Sequence, residues 1–198
     1  MIKNIVFDMG GVIMNWDPVY IASKLSDDQK EKDIMVNDIF GSDPWNKMDE
    51  GVYTPKEAIQ ALSTGDKNYN KVVENTINNW YQAFEEFDDM YHLIQELDDK
   101  GYNLYLLSNC SIQIQTYKDK VKSFKYLKGM YCSYESKLLK PDSKIYLDFL
   151  NRYDLKGEEC VFIDDNKDNA TASQTAKMHG YHYQKDINNL KKYILSLK

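Results

Sequence analysis

The residues best able to do chemistry stand at the ends of short apolar runs. Ile5-Val6-Phe7 leads into Asp8 and the pair Gly10-Gly11. Leu104-Tyr105-Leu106-Leu107 leads into Ser108-Asn109, and Cys160-Val161-Phe162-Ile163 into Asp164-Asp165. Lys140-Pro141 falls between the last two, just before a helical pattern. Each apolar run reads as a buried strand, and the C-terminal ends of parallel strands share one edge of their sheet. Groups far apart in sequence can therefore converge there.

Their types make chemical sense together. Several carboxylates on one edge repel one another unless a cation sits among them, and an all-oxygen donor set suits Mg²⁺. With Lys140, such a cation balances a phosphate dianion and the charge that develops as a phosphoryl group transfers. The Ser108 hydroxyl, the Asn109 amide and N–H groups at the start of a following helix are suited to hold phosphate oxygens. Asp8 is then free to act as a nucleophile. Singly, each feature has an ordinary explanation: an Asp after a strand is often a turn residue, and Ser-Asn is a common helix cap. Four such features in order, each at its expected place, favour a site.

The elements that must position these groups follow from periodicity. Asn15-Trp16-Asp17-Pro18 is a turn with Asp17 as a helix N-cap. Residues 19 to about 88 show only helical patterning, in four helices: Val19–Leu25, Asp27 to about Phe40, one beginning at Thr54-Pro55-Lys56-Glu57, and Asn70 to about Phe84. Thr54 with Glu57 forms a capping box, with Pro55 at the first helical position. From Tyr91 onward helices and strands alternate: a helix to Gly101, the strand 104–107, a helix over 112–121, a strand over 129–133 and a helix over 143–153. The strand 160–163 follows, then a helix over 169–178 closed by Gly180, a strand over 181–183 and a last helix over 187–197. Continuous apolar strands alternating with helices predict an α/β fold with a parallel sheet covered on both faces. The core is expected to comprise residues 1–14 and 89–198, with 15–88 as an inserted all-helical cap.

Composition sets the limits. The 198 residues suffice for one sizeable core, and 42% hydrophobic with 28% charged residues argues against disorder. A net charge of −6 offers no basic face for nucleic acid or an anionic membrane. The opening apolar run is too short for a signal peptide and none approaches a membrane span, so a cytoplasmic location is expected. Cys110, Cys132 and Cys160 form no CxxC pair and read as reduced, partly buried thiols. His92, His179 and His182 lie away from the expected edge. The aromatic residues of the helical insert read mainly as its core, with Trp16 or Trp45 placed to face a ligand.

On these motifs the chain resembles the haloacid dehalogenase-like hydrolase superfamily over nearly its whole length. Phe7-Asp8-Met9-Gly10-Gly11-Val12 resembles the first motif, Leu106-Leu107-Ser108-Asn109 the second, Lys140-Pro141 the third and Ile163-Asp164-Asp165-Asn166 the fourth. The resemblance implies a Rossmann-like core with a helical cap, Mg²⁺, and an aspartyl-enzyme intermediate on Asp8. Asp8, the Gly10 carbonyl and Asp165 would hold the metal, with Asp164 close by; Ser108, Asn109 and Lys140 would bind phosphate. One position departs: most phosphatases of the family carry a second Asp where Gly10 stands, as general acid and base. A general acid contributes about 10²–10⁴-fold, so good leaving groups are expected to be favoured unless a cap residue such as Asp17, Asp49 or Glu50 supplies the proton. The Asp-x-Gly-Gly/Asn-Val variant resembles a branch that includes glucose-1-phosphate phosphatase-like proteins. The expected function is a Mg²⁺-dependent phosphatase acting on a small, sugar phosphate-like metabolite. The alternatives are a catalytically weak binding or regulatory protein, which only Gly10 supports, and a 2-haloacid dehalogenase, which the intact Asp164-Asp165 pair disfavours.

Overall fold

The computed structural model describes residues 1–197; Lys198, the last residue of the expected core, lies outside them. Five strands form one parallel sheet: β1 Asn4–Phe7, β2 Asn103–Ser108, β3 Gly129–Cys132, β4 Cys160–Asp164 and β5 His179–His182, in the order β3-β2-β1-β4-β5. The chain builds outward from β1 on one side and then crosses to the other, so β1 lies at the point where strand order reverses. Ligands of open α/β sheets bind in the crevice at that point, beyond the strand C-termini.

Alternate strand residues feed two apolar layers, because successive side chains point to opposite faces. Ile5, Phe7, Leu104, Leu106, Val161 and Ile163 belong to one buried cluster. Val6, Tyr105, Leu107 and Phe162 belong to the other. Both faces are therefore covered, as the unbroken apolar runs predict. Register then fixes the site edge: Phe7 pairs with Leu106 and Ile163, so Asp8 emerges beside Asp164, with Ser108 closing the neighbouring strand.

Between β1 and β2 the chain is helical: α1 Pro18–Leu25, α2 Gln29–Ile34 continued by a wide turn over Met35–Ile39, α3 Asp43–Asp49, α4 Pro55–Leu62 and α5 Lys67–Asn79. After it come α6 Asp88–Asp99, α7 Ile114–Tyr117, α8 Ser133–Ser136, α9 Ser143–Arg152, α10 Lys167–Ala172 and α11 Ile187–Ser196. Helix α9 covers the second layer through Ile145, Tyr146, Phe149 and Leu150. Helices α6 and α11 cover the first through Leu93, Ile94, Leu190 and Ile194. The helical segment shares this first cluster through Ile21, Met35, Trp45, Val73 and Ile77. Its apolar interior is thus continuous with that of the sheet.

The expected caps of α1 and α4 are present: Asp17 accepts the Val19 and Tyr20 N–H groups, and Thr54 and Glu57 form the reciprocal capping box. Four expectations are corrected. The segment holds five helices rather than four, α3 being the addition. The helix expected over 112–121 shortens to α7 followed by a tight turn at Lys118–Lys120. It begins five residues beyond Asn109, so no helix N-terminus lies directly behind Ser108-Asn109. The helix expected over 169–178 stops at Ala172, with a tighter turn over Ser173–Ala176 and Lys177 at φ 60° ending it. Gly180 lies instead inside β5, where a Cβ would stand 1.8 Å from the Ala170 carbonyl oxygen.

Candidate active site

Asp8 follows β1 directly, and its N–H donates to the Ile163 carbonyl of β4 at 2.9 Å. The sheet thereby fixes where the carboxylate stands, 8% exposed at the floor of a cavity. The Lys140 Nζ reaches it from the side, 2.7 Å from Asp8 Oδ1. The same ammonium lies 2.7 Å from Asp164 Oδ2 and donates to the Leu107 carbonyl at 3.2 Å. All three of its protons are placed, and the residue is only 5% exposed.

The surroundings hold this arrangement from behind. Asp164 is fully buried; its Oδ1 accepts the Asn166 N–H at 2.8 Å and the Asn169 amide at 3.2 Å. Lys140 itself is set by Asn109, whose amide donates to the Lys140 carbonyl (3.0 Å) and accepts its N–H (2.9 Å). Asn109, expected to hold phosphate with its amide, therefore clamps the Lys140-Pro141 segment. That peptide bond is cis. Burial works against the charge on Lys140, but Asp164 and Asp8 outweigh it and hold the ammonium above its ordinary range. Burial pushes the Asp8 carboxyl up to about 6; Asp164 adds to the rise, while Lys140 and the Ser108 hydroxyl oppose it. Asp8 is thus ionised near neutrality.

The third carboxylate, Asp165, is raised by its own burial and by Asp164. Carboxylate oxygens of Asp8, Asp164 and Asp165 all lie within 4.8 Å of one another. Three such groups against one ammonium leave an excess of negative charge at a set of hard oxygen donors, which fits a divalent cation such as Mg²⁺. Gly11 makes the approach of Asp165 possible. Its φ of 73° and lack of a side chain matter together, because a Cβ there would lie 2.2 Å from Asp165 Oδ2.

Above these groups is a cavity of about 470 Å³. Asp8, Gly10, Ser108, Asn109, Lys140 and Asp165 all line it; Asp164 lies behind them. The seven residues singled out in the sequence thus come together, six at the cavity wall and one supporting it. The opposite wall is aromatic. Trp16 packs against Phe40, Trp45, Trp80 and Phe84 with ring centroids 5.5–6.0 Å apart, and all five rings face the cavity. Trp16 also fills the space beside Gly10, where a Cβ would meet the Trp16 Cβ at 3.0 Å. Cys110 lines the wall as a buried free thiol, and no histidine does so.

Two polar latches tie the helical segment to the sheet edge. The Ser133 hydroxyl accepts the Cys110 N–H at 2.9 Å and donates to the Asp49 carbonyl. The Trp80 indole donates to Gln113 Oε1 at 3.1 Å, and the Gln113 amide donates to the Ile77 carbonyl at 2.7 Å. Helix α3, absent from the sequence reading, carries Trp45 and Asp49 to the wall. Its signal was present in Ser42-Asp43-Pro44: Ser42 accepts the Trp45 N–H as N-cap, with Pro44 in the first turn.

A carboxylate, a buried lysine and an acidic cluster thus meet at the switch point of a parallel sheet. The chain belongs to the haloacid dehalogenase-like hydrolases, whose family pattern it matches over residues 2–177. It is 24% identical over 181 residues to the sesquiterpene phosphatase astK of Aspergillus oryzae, covering 91% of this chain and 89% of that protein. It is 28% identical over 189 residues to a D-ribitol-5-phosphate phosphatase of Bacteroides thetaiotaomicron, covering 85% of each. Its fold matches a HAD family enzyme of Bacteroides thetaiotaomicron, crystallised with magnesium and inorganic phosphate, with a TM-score of 0.70 at 21% identity; 96% of this chain and 99% of that one are covered. Among the described residues no helix is long and apolar enough to cross a membrane.

Proposed function

We propose that the chain is a Mg²⁺-dependent phosphatase of a small phosphorylated metabolite, working through a phosphoryl group carried on Asp8. The observation that carries this reading is the ion pair of Asp8 with buried Lys140 at the cavity floor, beside the Asp164–Asp165 oxygens. Lys140 keeps Asp8 ionised and aimed, since its three protons are fixed on Asp8, Asp164 and Leu107. The Asp8 oxygen attacks phosphorus while the Ser108 hydroxyl holds a phosphate oxygen, and the Lys140 ammonium beneath them offsets phosphate charge through space. Asp8, the Gly10 carbonyl and Asp165 would hold Mg²⁺, with Asp164 adjacent. The cation supplies positive charge against which the phosphate's own charge is offset.

The helical segment over residues 15–88 serves as the cap over this floor, and its aromatic wall fits the carbon part of the substrate. Edge-on and tilted rings favour a sugar ring or another skeleton with an apolar face. Names among the relatives span that range, from ribitol phosphate to sesquiterpene phosphatases. The test is hydrolysis of p-nitrophenyl phosphate with Mg²⁺ and after its removal by chelation. Turnover that stops with chelation and returns with Mg²⁺ is expected. Metal-independent turnover, or chloride release from 2-chloropropionate, overturns the reading.

Gly11→Ala gives a second, more local expectation. The added Cβ cannot coexist with Asp165 where it stands, and a non-glycine residue at φ 73° is itself strained by about 1 kcal/mol. Asp165 must swing away, and calorimetric titration should show Mg²⁺ binding weakened about 10-fold or more. Unchanged affinity would remove Asp165 from the metal set.

A further inference from the structure

We propose that Asp49, carried by the helical segment, is the acid that protonates the departing oxygen as phosphate transfers to Asp8. This rests on the phosphatase reading and answers the problem posed by Gly10, whose missing side chain leaves the site without the usual acid.

Five titratable side chains line the cavity among the described residues: Asp8, Asp49, Cys110, Lys140 and Asp165. Asp8 is the nucleophile. Lys140 has each proton bound to the protein. Asp165 belongs to the acidic cluster on the floor. Cys110 is held far above an ordinary thiol by its contact with Cys132 and by burial, so it is a poor donor. Asp49 remains, and it comes from the helical wall of the cavity, opposite the floor that carries Asp8. Asp17 and Glu50, the other two acids considered from sequence, do not line the cavity; Asp17 spends its carboxylate capping α1.

Asp49 is also held in place. Its main-chain carbonyl accepts the Ser133 hydroxyl, and the nearby Trp45 side chain and Ser111 main chain favour the ionised form of its carboxyl. Gly51, two residues on, lets the chain press against α8: a Cβ there would stand 2.1 Å from the Tyr134 carbonyl oxygen. The latch thus sets the acid relative to the floor, and a side chain at position 10 is replaced by Trp16 packing.

The electrostatics agree. Burial pushes Asp49 up to about 7, the Asp8 charge adds to this, and the Trp45 and Ser111 donors oppose it. The titratable groups around it are Asp8 from the strand end, Cys110 from the loop after β2 and Tyr117 on α7. Cys110 and Tyr117 are both shifted upward and neutral, so Asp8 is the one charged neighbour of the three. Asp49 is then substantially protonated near neutrality, and acids poised near the working pH are the effective ones.

The step balances. An Asp8 oxygen forms a bond to phosphorus, the bond to the leaving oxygen breaks with its electron pair on that oxygen, and the Asp49 carboxyl hydrogen passes to it. The products are an alcohol, phospho-Asp8 and an Asp49 carboxylate. Water then attacks phosphorus and gives a proton to Asp49, releasing phosphate and restoring both carboxyl groups. The leaving-group preference expected from Gly10 therefore belongs to a protein lacking Asp49 rather than to this one.

The experiment measures kcat/KM with Mg²⁺ for p-nitrophenyl, phenyl and p-methoxyphenyl phosphates, in wild type and Asp49→Asn. Wild type should depend shallowly on leaving-group acidity. Asp49→Asn should depend steeply, losing about 10²–10⁴-fold on the poorest leaving group and far less on p-nitrophenyl phosphate. Equal slopes in two active proteins overturn the assignment alone. Absence of turnover by wild type on every ester overturns the phosphatase reading and the assignment with it. The pH profile of wild type gives a second readout that needs no variant. Phenyl phosphate turnover should fall as pH rises through about 7, where Asp49 loses its proton. The same fall for p-nitrophenyl phosphate, which needs no proton, would also overturn the assignment.

Discussion

Asp8→Asn is expected to abolish turnover, lowering kcat on the order of 10⁵-fold or more, the scale set by removing a covalent nucleophile. The amide keeps the shape of the carboxylate but cannot attack phosphorus as an anion. The fold should survive, because Lys140 retains Asp164 at 2.7 Å and the Asp8 main chain keeps its bond to Ile163. A folded, inactive variant by circular dichroism and steady-state assay is the predicted outcome. A variant retaining more than about a hundredth of the activity would mean that Asp8 is not the attacking group.

Lys140→Met is expected to damage both activity and stability. Lys140 is the one cation between two buried carboxylates, and removing one partner of a buried pair costs about 3–5 kcal/mol. For a chain of this size that lowers Tm by on the order of 10 °C. Catalytically, loss of a preorganised charge costs about 10²–10³-fold. A pH effect follows with a definite sign. Lys140 opposes the rise of Asp8 above its ordinary value, so without it the Asp8 carboxyl titrates higher than about 6. Assayed on p-nitrophenyl phosphate, which needs no proton, the variant should therefore regain activity as pH is raised past the point where wild type has levelled off. Parallel pH profiles would show that Lys140 does not control the ionisation of Asp8. Lys140→Arg should not rescue, since a planar guanidinium does not reproduce three bonds made from one buried nitrogen.

The floor of the site was legible in the sequence because it lies at strand ends. A run such as Cys160–Ile163 announces a buried strand, and parallel topology then collects whatever polar residue follows it. Asp8, Ser108 and Asp164 needed only that rule. Lys140 lies on no strand; the Lys140-Pro141 pair before a helical pattern and its likeness to the third motif marked it, and its charge then suited the clustered carboxylates. What Asn109 does was not legible, because its amide pairs with the main chain of Lys140, a partner 31 residues away. No helix starts directly behind Ser108-Asn109 either; α7 begins at Ile114. The Cys110 N–H goes to Ser133 and Ser111 turns toward Gln113, so the chain runs irregularly before α7 begins.

The opposite wall was harder to read, for a related reason. Helix α3 has seven residues and buries only Trp45 and Met48, too little apolar periodicity to stand out. Its placement comes from tertiary contact, through the Ser133 latch and the close approach at Gly51. In the sequence Asp49 was therefore one of three equal candidates, whereas the cavity separates it from Asp17 and Glu50. Gly10 remains the most informative residue of the first motif. Its missing side chain gives way to Trp16, and the proton it would have carried is assigned to the helical wall.

The most direct test of the account is to trap the phosphoryl group on the chain. Wild-type protein with Mg²⁺ and an aryl phosphate is quenched in acid during turnover, digested, and its peptides weighed. The account predicts one added phosphoryl group on the peptide containing Asp8, absent in Asp8→Asn. Turnover with no phosphorylated Asp8 peptide, or with the group on another residue, would contradict it.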